Sequence, residues 1–215
     1  MNYLQLVNAV LAMLRERQVG TVNENAYSTL IAELVNQAKE DVENACDWNG
    51  LAQTINITTT PTIFSYAMTD AGQRFRIIDV FNQTAQTRMH YVPTSKMNDW
   101  FMLGDNEPGS PYFYNFNGVD TNLDTFVDLW PVPNVSEELY FNLIIPQDRF
   151  TSDSEIIKVP SRPVILNAYW RAVVERGEDG GTAAQEAQRN YLTSLGDHVA
   201  IDQGHFPEES LWIAT

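Results

Sequence analysis

The chain has 215 residues, 44% hydrophobic and 19% charged, which is the balance of a folded globular protein and not of a disordered one. Its formal charge of −15, from 28 acidic and 13 basic residues, repels phosphates and argues against a classical nucleic-acid-binding protein. A single cysteine, Cys46, excludes an internal disulfide framework and an all-cysteine metal site within one chain.

Asn2 is placed to cap a first helix whose apolar residues Leu4, Val7, Val10, Leu11 and Leu14 recur at helical spacing. Gln18-Val19-Gly20 ends it. Thr21 and Glu24 have capping-box spacing and predict the start of a second helix, with Tyr27, Leu30, Ile31, Leu34, Ala38, Val42 and Ala45 on one face. It should stop near Trp48-Asn49-Gly50, and the short connection predicts an antiparallel pair.

From Leu51 the period changes to that of strands. Ile55, Ile57 and the threonines at 58–60 predict one, because β-branched side chains fit a pleated surface. Phe75, Ile77, Val80 and Phe81 predict a second after the Asp70-Ala71-Gly72 turn, and His90-Tyr91-Val92 a third. The breaker-rich stretch Gly104–Pro111 reads as an exposed loop. Tyr112-Phe113-Tyr114 and Thr125–Trp130 then read as paired strands, Pro131–Asn134 as a turn, and Leu139–Ile144 as the returning strand.

Helix resumes after Pro160-Ser161-Arg162-Pro163, since a proline in the first turn sacrifices no intrahelical hydrogen bond. Its stripe is Ile165, Ala168, Tyr169, Ala172 and Val173, broken at Glu178–Gly181. Thr182 and Gln185 again have capping-box spacing, with Ala184, Ala187, Tyr191, Leu192 and Leu195 predicted inward and Gly196 predicted as the stop.

The expected fold class is therefore α+β. An antiparallel bundle of about four helices, from residues 1–50 and 160–196, would carry an inserted small antiparallel β domain at 51–159 and an extended C-terminal tail at 197–215. No apolar run reaches bilayer length, and the first residues lack the basic and small-residue pattern of a secretory signal, so folding in a cytoplasm is expected. The sequons at Asn56, Asn82 and Asn134 are then chance matches.

The residues carry no recognisable catalytic set. There are three histidines, His90, His198 and His205, and no nucleophile elbow, phosphate loop or dinucleotide fingerprint. Cys46, near a helix end, reads as a small buried hydrophobe. Asp120, Asp124 and Asp128 recur every four residues but lack the alternation and central glycine of a calcium loop. His198 and His205 with Asp197 and Asp202 match no closed zinc spacing. No cofactor, no metal and no enzymatic activity is expected.

One enrichment has functional content. Tyr112, Phe113, Tyr114, Phe116, Phe126, Trp130, Tyr140 and Phe141 crowd the strand region. The inward half would be core, and the outward half would suit an interface or a carbohydrate-binding face.

The order of motifs resembles the head-to-tail adaptor (connector) proteins of short-tailed phages, of the tail tubular A or gatekeeper type. The resemblance is carried by the helical pair ending in Asp47-Trp48 and by Gly109–Tyr114 followed by Leu129-Trp130-Pro131-Val132-Pro133. It is carried also by Val159–Ala168 leading to Glu175-Arg176-Gly177-Glu178. It implies a structural virion protein assembled in the host cytoplasm as a ring of identical subunits, expected to be dodecameric, in the virion neck. The ring would sit between the portal and the tail nozzle or tail tube and extend the DNA channel, so that DNA passes without being held and no membrane is involved. In related adaptors C-terminal segments can reach along the portal, which makes Phe206, Leu211, Trp212 and Ile213 the candidate partner-interface residues. The rival reading is a tail-associated carbohydrate- or receptor-binding module built on the outward aromatics.

Overall fold

The computed structural model describes residues 1–104, 108–178 and 181–204. In chain order it contains helices α1 (Tyr3–Met13) and α2 (Ala26–Ala45), then strands β1 (Ala52–Thr58), β2 (Ser65–Ala67), β3 (Arg76–Asn82), β4 (Thr87–Arg88) and β5 (His90–Tyr91). Helix α3 (Thr94–Leu103) follows, then strands β6 (Phe113–Val119), β7 (Thr125–Trp130) and β8 (Glu138–Ile144), and helices α4 (Ser161–Val173) and α5 (Thr182–Gln203). The fold is mixed α+β, and the chain divides into two compact units.

The helical unit takes residues 1–51 and the described residues from Gln147 onward. Its helices form for local reasons. Asn2 caps α1 in a reciprocal box with Gln5, and Asn25 does the same for α2 with Ser28. The box expected at Thr21 and Glu24 closes a tight turn ahead of α2 instead: the Glu24 N–H donates to the Thr21 carbonyl, and the Glu24 carboxylate accepts from the Gly20 N–H. Leu6, Val7 and Val10 of α1, Ile31, Val35 and Val42 of α2, and Val164, Ala168 and Ala172 of α4 are buried together as the core, and α4 packs against α1, α2 and α5. Trp48 seals the end of α2, where its indole N–H donates to the Val42 carbonyl at 2.6 Å.

Polar groups deep in this unit are matched, as burial requires. Tyr3 donates to the Ala32 carbonyl at 2.8 Å and accepts from Asn36, whose amide also spans the backbone of Phe150. Burial pushes the Tyr3 hydroxyl up to about 12, with the nearby Glu33 carboxylate adding to the effect. Lys39 and Glu43 lie one helical turn apart and both side chains are fully buried, 3.2 Å from each other. The Lys39 ammonium also donates to the carbonyls of Gln147 at 2.7 Å and Asp148 at 2.9 Å, and lies over the Phe150 ring.

These contacts correct the expected boundary at 159. The strand-bearing unit is Ala52–Pro146, and 147–159 belongs with the helices. The Lys39 and Asn36 side chains anchor its start, and the N–H groups of Tyr3 and Leu4 donate to the carbonyls of Glu155 and Asp153 farther along. A second correction concerns Gly196, which does not end its helix; α5 continues to Gln203. A mid-helix glycine costs only about 0.5–1 kcal/mol, less than the loss of the hydrogen bonds of two further turns. The segment 197–203 is thus helical and not extended. Thr182 does not cap either, because Gly181 takes that position without a side-chain bond. Leu192, expected inward, is exposed, and Ser194 takes the buried place instead.

In the strand unit, one sheet has the order β1-β8-β3-β4 and the other β2-β7-β6-β5. All pairs are antiparallel except β5 with β6. Ile57, Val80, Leu139, Phe141 and Leu143 of the first sheet share a core with Tyr114, Val127 and Leu129 of the second. Alternation along each strand sends every second side chain inward, which is why β8 reads as buried at Leu139, Phe141 and Leu143.

Candidate functional site

The aromatic-rich strands sort into two faces. Tyr114 and Phe141 are core, with ring centroids 5.8 Å apart, and Phe116 packs against the same cluster. Burial raises the Tyr114 hydroxyl above the usual phenol range. Phe113 and Trp130 point to the opposite face, where they meet α3: Trp100 stacks on Trp130 at 5.8 Å and lies 5.0 Å from Phe113. Phe101 meets Trp130 edge-on at 5.1 Å and Phe64 at 4.6 Å. Helix α3, absent from the sequence reading, therefore covers much of the aromatic face that a carbohydrate-binding module would need open.

Covering that face leaves a different one open. Met102 and Leu103, at the end of α3, are 80% and 84% exposed, and Ile63 and Phe64 nearby in the same unit are exposed too. A hydrophobic helix end of this kind is the sort of surface that protein partners bury. The signal for it was present in Met97, Trp100 and Phe101, whose i, i+3, i+4 spacing is helical; Met97 is buried, and the two aromatics dock on the sheet.

Of the described residues weighed for chemistry, Asp197 and His198 line one small cleft, and the others lie apart from it. Cys46 is buried at the end of α2. Asp120 accepts from the N–H groups of Asn122 at 2.7 Å and Asp124 at 2.9 Å, which shapes its own turn. Asp124, in the same turn, accepts from the Gly72 N–H, and Asp128 from the Asn117 amide, so each carboxylate serves a different local contact. His90 is exposed on β5, and His198 donates from Nδ1 to the Ser194 carbonyl at 2.7 Å. His205 and the candidate interface residues Phe206, Leu211, Trp212 and Ile213 lie outside the described residues. Among the described residues no group of three or more His, Cys, Asp or Glu side chains is placed to hold a metal ion. Among them, too, no helix is long and apolar enough to cross a membrane.

One buried carboxylate holds the strand unit together. Glu137 accepts from the Ser110 hydroxyl at 2.8 Å and from the Asn82 amide, and its backbone N–H donates to Thr59. Asn82, the centre of one sequon, is itself fully buried and receives the Ala85 N–H. A glycan there would have no room in this fold.

The model of the SU10 adaptor protein family matches residues 1–207, and the chain belongs to that family. Membership supports the head-to-tail adaptor resemblance and a structural role in the virion. No curated protein matches the chain.

Proposed function

We propose that this protein is the head-to-tail adaptor of a phage, a non-enzymatic subunit of the virion neck that forms a ring, dodecameric by the resemblance, between the portal and the tail nozzle or tail tube. The observation that carries the reading is the adaptor-family match over residues 1–207. The exposed end of α3 supplies apolar area for a tail component. The charge of −15 suits a subunit that stays apart in solution, and a channel of that sign lets DNA pass without gripping it. Phe206, Leu211, Trp212 and Ile213 supply the portal contact in this reading, because apolar side chains gain affinity when a partner buries them. A ring then multiplies weak contacts, because each subunit bound presents the next site at high effective concentration.

Electron microscopy of the purified protein, alone and mixed with the portal of the same phage, tests the reading. A second ring stacked on the portal is the expected result. Cutting the chain after Gly204, where α5 ends, should abolish stacking while the helical signal survives. If the intact protein never adds to the portal, the adaptor reading fails.

A further inference from the structure

Asparagine followed by glycine occurs twice in the chain, at Asn49-Gly50 and Asn117-Gly118. This pairing is the one most prone to lose its side-chain amide. A glycine nitrogen, unshielded by a Cβ, can attack the asparagine side-chain carbonyl carbon and close a five-membered succinimide. Ring closure requires the main chain to turn about the asparagine, so the fold decides which of the two pairs reacts.

The first pair is locked. Asn49–Leu51 form a turn of 3-10 helix, in which the Asn49 N–H donates to the Asp202 carboxylate at 3.0 Å and the Leu51 N–H to the Trp48 carbonyl at 2.9 Å. Gly50 is pressed against the Lys158 carbonyl, which occupies the place of a Cβ. Turning the main chain there breaks these contacts. The second pair is free to turn. It sits in β6 at a break in register: Phe116 pairs with Val127 and Val119 with Thr125, so Asn117 and Gly118 together face Phe126. A bulge of this kind leaves backbone outside the ladder. Both residues are exposed, Gly118 has φ +78°, and among the described residues no atom beyond its chain neighbours lies within 4 Å of where its Cβ would be.

Asn117 also serves a buried partner. Phe113, Asn115 and Asn117 alternate onto the face that α3 covers, where Phe113 lies 5.0 Å from Trp100 and the Asn115 amide donates to the Thr94 hydroxyl at 3.2 Å. Asn117 donates from Nδ2 to Oδ2 of Asp128 at 2.9 Å, diagonally across the strand pair. Asp128 is 5% exposed, and its Oδ1 has no hydrogen-bond partner among the described residues. The bond to Asp128 restrains the Asn117 side chain but not the main-chain turn that ring closure needs.

We propose that Asn117 is a self-modification site at which the protein deamidates, with water as the co-reactant. The Gly118 nitrogen gives its proton to solvent hydroxide and bonds to Cγ of Asn117. The Cγ–Nδ2 bond breaks, and the nitrogen takes a proton from water and leaves as ammonia. Water then opens the succinimide at either carbonyl carbon. One opening restores the ordinary peptide link with a carboxylate on the side chain, and the other leaves an iso-linked chain with one extra main-chain carbon. Either product takes from Asp128 its amide donor. The first also sets a second carboxylate against it, and like charges across a strand pair repel. The sheet that carries α3 thus acquires a slow, irreversible mark of age.

Peptide-mapping mass spectrometry of the full chain, incubated in warm, mildly alkaline buffer and read at both asparagines, tests the proposal. In the folded chain position 117 should convert roughly ten- to a hundred-fold faster than position 49, the worth of the two hydrogen bonds that the Asn49–Leu51 turn must open. In concentrated urea the two should convert at closely similar rates, because the fold no longer separates them. Equal rates in the folded chain, a faster position 49, or conversion at 117 that occurs only in urea overturns the proposal. A second measurement reads the consequence: Asn117→Asp reproduces the ordinary product, and Asn117→Ala removes the donor without adding a charge. Asn117→Asp should unfold at a lower urea concentration than Asn117→Ala, and an equal or higher midpoint overturns the like-charge effect on Asp128.

Discussion

Replacing Lys39 by Met should be among the most damaging single changes in the helical unit. The substitution keeps an unbranched apolar stem against the Phe150 ring and removes the ammonium. Glu43 then loses a cation at 3.2 Å in a fully buried setting, and the carbonyls of Gln147 and Asp148 lose a donor. Removing one partner of a buried pair costs about 3–5 kcal/mol, because the other charge stays buried. We expect a loss of about 4 kcal/mol, a large part of the ~5–15 kcal/mol that stabilises a typical domain. Lys39→Met with Glu43→Leu should recover about half of that, since the stranded charge is gone while the two carbonyls remain. Glu43→Gln alone should cost only about 1–2 kcal/mol, because the ammonium keeps both carbonyls and gains a neutral acceptor. Urea unfolding followed at 222 nm reads this unit, which holds α1, α2, α4 and α5. A Lys39→Met loss below about 1 kcal/mol, or a double variant less stable than the single one, would refute the reasoning.

Two further outcomes follow from the buried polar groups. Asn82→Ala takes from Glu137 the donor of one of its two carboxylate hydrogen bonds and from the Ala85 N–H its acceptor, so it should destabilise the strand unit by about 2–3 kcal/mol in urea. A neutral result would mean that water reaches Glu137. For Tyr3, the folded pKa of about 12 lies above the ordinary 10.0, so folding favours the protonated phenol. That contribution is complete below pH ~10, is lost as the pH rises through the folded value near 12, and amounts to about 2–3 kcal/mol at ~1.4 kcal/mol per pKa unit. Tyr3→Phe should flatten the fall in stability between pH 10 and 12, measured by thermal melts; an unchanged slope would remove Tyr3 as its source.

The helix and strand periods were legible because neighbours a few residues apart determine them. The stripe of α1, the proline-led start of α4, and the pairing of β6 with β7 all follow from spacing and turn residues. The start of α2 was misread by four residues because Thr21-Glu24 and Asn25-Ser28 both offer capping chemistry, and which of the two caps the helix depends on how the chain packs. Helix α3 was missed for a related reason. The sequence reading assigns no element to residues 94–103, and only the sheet beneath Trp100 and Phe101 shows that they belong to a covering helix.

The sequence by itself determined the α+β class, the helices other than α3 and most of the longer strands, all properties of short segments. Only the tertiary structure decided which polar residues are buried. Lys39 and Glu43 have the spacing of an ordinary exposed helical pair, yet the carbonyls that make their burial tolerable come from Gln147 and Asp148, over a hundred residues away. Local spacing sets the period of a helix, but the cost of burying a charge or a hydroxyl depends on partners brought from distant segments, and those exist only once the chain has folded.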